Sequence, residues 1–180
     1  MSTSVGSHVT DVLAGFAAWL GKTPLFDFVA GVAWVVPALQ TVHILAVAVV
    51  IASAAIIDLR VLGLVERDQP LSTVFQRFLP PLAGAVGLLA LTGVLLIAGE
   101  PTRAIFRVVF WIKLALVATA AALTWGLAAG VRRWPGALGG DRSVSTPLKV
   151  AAASTLLLWI VVIVAGRWIG YAVAWAGAPQ

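Results

Sequence analysis

The sequence predicts an all-α protein: an antiparallel four-helix transmembrane bundle preceded by an N-terminal amphipathic surface helix. Three observations carry this. Hydrophobic residues make up 61% of the chain and charged residues 11%, against about 25% charged in an ordinary soluble domain. Mean hydropathy is +1.04, and the apolar residues fall in blocks of about twenty or more, enough to cross ~30 Å of hydrocarbon. Those blocks are continuous Leu/Ala/Val runs, whereas a β-barrel would show short alternating segments.

Residues 1–31 read as an N-terminal segment with an interfacial helix. Val12, Leu13, Phe16, Ala17 and Leu20 recur at helical spacing with Trp19 beside them, bracketed by Asp11 and Lys22. The run is too short to span and lacks the basic start and cleavage pattern of a signal peptide. It reads as an amphipathic helix lying on the membrane, stopped at Lys22-Thr23-Pro24. Residues 32–180 form the transmembrane domain. Span one covers about 33–62, with Pro37 near its start, where a missing amide costs least. After a polar connection, span two opens on Pro80-Pro81 and covers about 80–98. Its Gly84, Gly87 and Gly93 are small residues of the kind that permit close helix approach. A turn at 99–103 leads to span three, about 105–131, and a second polar loop to span four, about 148–176.

Basic residues set the expected orientation. The loops joining spans one to two and three to four carry Arg60, Arg67, Arg77, Arg132, Arg133, Arg142 and Lys149; the opposite side has Lys22, Arg103 and Arg107. Seven against three places the first group in the cytoplasm, so both termini are expected in the periplasm of a bacterial inner membrane. Trp19, Trp34, Trp111, Trp168 and Trp175 then fall toward the outer interface and Trp125 and Trp134 toward the inner, an aromatic belt. Mid-span Trp159 reads as packing. The net charge of +5 belongs to cytoplasmic loops and anionic lipid rather than to nucleic acid.

Polar residues inside the bilayer are costly and call for a reason. At about 100° per residue, Gln40, His43, Val47, Ala54 and Asp58 share one stripe of span one. Arg60 points the other way and is expected to reach lipid phosphate. Lys113, Val117, Ala120 and Thr124 form a comparable stripe on span three, and Arg167 shares a face of span four with Gly170, Tyr171 and Ala174. The helical rise puts His43, Lys113 and Arg167 each about 12–13 Å below the outer ends of their spans. Two cations and an imidazole at one depth need a negative or electron-rich partner. Glu100 at the outer turn, a bound anion, a haem propionate or a quinone carbonyl would each serve. The alternative is that Lys113 and Arg167 snorkel separately while His43 only packs. Asp58, near the inner end, is a proton relay or half of an ion pair, with Arg132 or Arg133 as the ordinary partner.

Chemistry is bounded by what is missing. With no cysteine, disulfides, thiolate metal sites and c-type haem attachment are excluded. Bis-histidine haem within the chain is improbable, since the other histidine is His8 and the one methionine is Met1. A five-coordinate haem b with His43 as iron ligand, or ligation shared with a partner subunit, stays open. Zinc or copper lacks ligands, and no residue stands out as catalytic, so the sequence leaves open whether this is an enzyme.

The segments PALQTVHILAVAVVIASAAIIDLRVLGL, RFLPPLAGAVGLLALTGVLL, FRVVFWIKLAL and LWIVVIVAGRWIGY resemble an uncharacterised bacterial family of four-span integral membrane proteins, a domain of unknown function. The resemblance rests on His43, on Asp58-Leu59-Arg60 with the Leu-Gly-Leu exit, on Phe106-Arg107 with Ile112-Lys113, and on 166–171. In outline the chain is also similar to copper-resistance and cytochrome-b-like membrane proteins, a fold-level analogy. The leading expectation is a membrane subunit holding a haem or quinone near its outer face through His43, Gln40, Lys113, Arg167 and Tyr171. Such a subunit would exchange electrons with a periplasmic redox partner or other membrane subunits. The alternatives are a small-anion or proton transporter, which with four spans would be oligomeric, and a non-catalytic anchor or assembly subunit.

Overall fold

The computed structural model describes residues 3–133 and 144–168. In chain order these form α1 (Thr3–Leu20), α2 (Pro24–Gly31), α3 (Val35–Val61), α4 (Leu71–Gly99), α5 (Pro101–Ile105), α6 (Val108–Arg133) and α7 (Thr146–Trp168). α3, α4, α6 and α7 are each long and apolar enough to cross a membrane. The protein is thus a multi-pass helical bundle whose successive spans run antiparallel.

Two helical hairpins make the bundle. α3 packs along α4 and α6 along α7, and the hairpins join through α3 against α7; α4 and α6 meet over a much smaller surface. The α3–α4 connection, the end of α6 and the start of α7 lie at one end, termed here the hairpin end. α1, α2 and α5 cover the opposite, cap end.

Packing is uneven between the two. The main core draws Ile57 and Val61 from α3, Leu71 and Leu82 from α4, Leu127 and Val131 from α6, and Trp159 from α7. On α6 every fully buried residue lies at or beyond Ala120, and none lies between 108 and 119. Lipid tails are as apolar as the core, so helices are held by close contact rather than by water exclusion. The bundle is therefore fastened in its hairpin half and loose in its cap half.

Local chemistry accounts for the helix ends. α3 stops in a Schellman motif: Leu64 N–H donates to Leu59 C=O at 2.9 Å and Gly63 N–H to Arg60 C=O at 3.0 Å. Gly63 sits at φ +76°, a left-handed conformation that disfavours a Cβ. Gly63→Ala is expected to cost about 1 kcal/mol, read as a lowered unfolding midpoint in detergent. Thr23 joins α1 to α2. Its hydroxyl donates to Leu20 C=O at 2.7 Å and accepts from Phe26 N–H at 3.3 Å, and Pro24 supplies the pre-set φ of a first helical position.

Several sequence expectations are corrected. The N-terminal segment holds a second helix that was not expected: α1 ends at Leu20, beside the stop read at Lys22-Thr23-Pro24, and Pro24 opens α2, which meets Thr10–Leu20 at 75°. α4 begins at Leu71, nine residues before the expected start at 80, and carries Pro80 and Pro81 in its interior. Burial of Leu71, Val74, Phe75 and Leu79 holds those first turns helical despite the amides the prolines lack. Residues 101–105 are a short helix, α5, where a turn was expected. Arg60 does not extend to lipid. Its guanidinium donates to the carbonyls of Arg67, at 3.3 Å, and Gln69, tying down the α3–α4 loop. Gly84 and Gly87 have open space where a Cβ would sit. The close approach falls instead at Gly99, where a Cβ would lie 2.7 Å from Val29 Cγ1 of α2.

Candidate functional site

Each spanning helix places one residue at a common level in the cap half. From α3 comes His43, half-buried, with Nδ1 2.7 Å from Thr92 Oγ1 of α4. Thr92 is 3% exposed, and its hydroxyl also lies 2.7 Å from Leu88 C=O in its own helix. A hydroxyl has one proton, and neither short contact is favourable without one. The hydroxyl proton satisfies Leu88, so the imidazole donates Nδ1–H to Thr92 Oγ1. In the neutral ring, Nε2 then keeps its lone pair.

α6 and α7 complete the level. The Lys113 side chain lies along Gly166, where a Cβ would stand 3.4 Å from Nζ and 3.5 Å from Cε. A Cβ there would touch the lysine stem in ordinary van der Waals contact. Lys113 is half-buried. Under the ring, Gly93 of α4 would place a Cβ 3.9 Å from His43 Cε1, ordinary contact. An imidazole of set orientation and an ammonium therefore share the half of the bundle where helix packing is least.

The residues expected to bind with them fare differently. Gln40 is exposed, about one turn nearer the cap end on α3, and Arg167, next to Gly166, is exposed as well. Tyr171 lies outside the described residues. Glu100 follows α4 and lines an open groove of about 400 Å³ with Ala17, Gly21, Phe26, Gly99, Pro101 and Thr102. His8 is exposed on α1. Among the described residues, no group of three or more His, Cys, Asp or Glu is placed to hold a metal ion.

Thr92 and Gly166 escaped the sequence reading. Thr92 left a usable signal, as the sole polar side chain between Pro80 and Ala98. Gly166 left none, because its role is defined by the lysine lying across it.

A second polar cluster lies in the hairpin half. Asp58, 1% exposed, and Thr155, 0% exposed, are hydrogen-bonded between α3 and α7, Oδ1 to Oγ1 at 2.8 Å. One turn along α7, Trp159 donates Nε1–H to Thr124 Oγ1 of α6 at 3.4 Å. Of the two arginines expected beside Asp58, Arg132 is exposed and the Arg133 side chain lies outside the described ones; the partner seen among the described residues is the Thr155 hydroxyl.

Fold and site together define an integral membrane four-helix bundle with an imidazole–ammonium pair set between its loosely packed helix ends. The chain belongs to a family of unknown function, DUF6644, whose model matches residues 14–172. No curated protein matches it, and no solved structure does.

Proposed function

We propose that this protein is a membrane redox subunit that holds a quinone headgroup at His43 and Lys113 and passes electrons to or from a partner at the cap end. The observation that carries the proposal is the His43–Thr92 hydrogen bond in the cap half of the bundle, the half that also holds Lys113 against Gly166. Reduction builds negative charge and then a proton on a quinone oxygen. An ammonium stabilises that charge, and a neutral Nε2 accepts from the hydroxyl that forms. The loose cap half gives a lipid-soluble ring a way in from the bilayer. Haem is the second reading, favoured by the same hydrogen bond, since ligating imidazoles commonly donate their other N–H to an orienting acceptor. Haem would have His43 alone among the described membrane residues as iron ligand. The quinone needs only what is present.

Purified protein should carry extractable quinone, or a haem spectrum that changes on reduction. His43→Ala should abolish retention. Thr92→Val should weaken it by roughly ten-fold, the scale seen when the group orienting a ligating imidazole is lost. Protein with neither cofactor, indifferent to both substitutions, would overturn the proposal. The proposed orientation puts the cap end and both termini in the periplasm of the bacterial inner membrane. The cysteine-free chain makes single-cysteine labelling clean. Glu66→Cys should be protected from an impermeant thiol reagent in intact cells, and Thr102→Cys should react.

A further inference from the structure

The buried carboxyl of Asp58 plays no part in the cap-half site. It lies fifteen residues, about 22 Å, along α3 from His43. Oδ2 is buried and has no hydrogen-bond partner among the described residues. Among the described side chains, the cations of the surrounding elements are placed elsewhere. Arg60 of α3 is held by loop carbonyls, Arg77 of α4 lies over the Phe78 ring, and Arg132 of α6 is exposed. Lys149 sits nearly two turns before Thr155 on α7.

Counting protons decides the state of the carboxyl. Thr155 Oγ1 lies 2.8 Å from Asp58 Oδ1, 2.9 Å from Ala152 C=O and 3.1 Å from Ala151 C=O. One hydroxyl proton cannot serve a carboxylate and a carbonyl at such distances. A proton on Asp58 Oδ1 resolves the shortage: the acid donates to Thr155 Oγ1, and Thr155 donates to Ala152 C=O. The acid form also leaves only a neutral carbonyl oxygen at Oδ2, where the ionised form would leave a buried charge without solvation or counter-ion.

We propose that Asp58 is a proton-binding site of the bundle, holding a proton shared with Thr155 and exchanging it with water at the hairpin end. Three residues separate Asp58 from the end of α3, so that water is about one helical turn away. Carboxyls inside membrane bundles that bind and release protons in this way serve as relay stations. The ligand is the proton itself, and the site is independent of any cofactor at His43.

Infrared spectroscopy of the full chain in lipid vesicles tests this. At pH 7 the wild type should show the carbonyl band of a protonated carboxylic acid, lost in Asp58→Asn and moved to lower frequency after transfer to D₂O. Should Asp58→Asn not fold, wild-type protein grown on aspartate labelled with ¹³C at the side-chain carboxyl gives the same assignment, because the band must shift with the label. Asp11, Asp27 and Asp68 are exposed and lie outside the buried environment that the band reports. A missing band means an ionised Asp58, and a band unmoved in D₂O means a sealed proton; either overturns the proposal. Bound quinone or haem is read separately and does not enter the outcome.

Discussion

Trp159→Ala is expected to be among the most damaging single truncations in the bundle, costing about 3 kcal/mol, the lower end for removing a buried tryptophan. Trp159 is 1% exposed and packs in the core that joins both hairpins. Its indole N–H also makes the bond to Thr124 that links α7 to α6. The lower end applies because lipid receives the freed surfaces about as well as the core does, leaving chiefly lost packing and a hydrogen bond. The check is the unfolding midpoint in detergent against Trp125→Ala. That tryptophan is 38% exposed, and its removal should have a much smaller effect. Equal losses would show that the hairpin-half core is not what holds the helices together.

Gly99→Val should cost about 1–3 kcal/mol, the usual range for overpacking a filled site, and should unseat α2. A Cβ at Gly99 would stand 2.7 Å from Val29 Cγ1 and 3.7 Å from Val36 Cγ2. Val29 is 1% exposed and has little room to retreat, so the helix as a whole must move. Faster proteolysis at Lys22, beside the α1–α2 joint, would report that movement. Gly84→Val is the control, since a Cβ there meets nothing within 4 Å. If the two variants are cut alike, the α2–α4 contact is not a seat for α2.

The spans were legible because the bilayer imposes one demand on any segment that crosses it: a length of apolar side chain that composition and hydropathy record directly. His43 and Lys113 were legible for a related reason, since polar groups in hydrocarbon stand out against Leu and Val. Matching their depths from the helical rise put them at one level; in the structure His43 meets Thr92 and Gly93 of α4, and Lys113 meets Gly166 of α7. Depth says nothing about facing, however. Gln40 shares the His43 stripe by angle and is still exposed.

What an amino-acid sequence alone determined here is the solvent each segment belongs in. Twenty apolar residues carry that information whatever they pack against. Which polar groups meet was decided only by the tertiary structure. Thr92 holds the His43 ring, Lys113 lies along Gly166, and Thr155 meets Asp58. Each pairing depends on how far one helix is rotated and shifted against another. That choice is made by contacts such as Val29 on Gly99 and Trp159 in the hairpin-half core, which bring together residues from separate helices and leave no periodic mark in either.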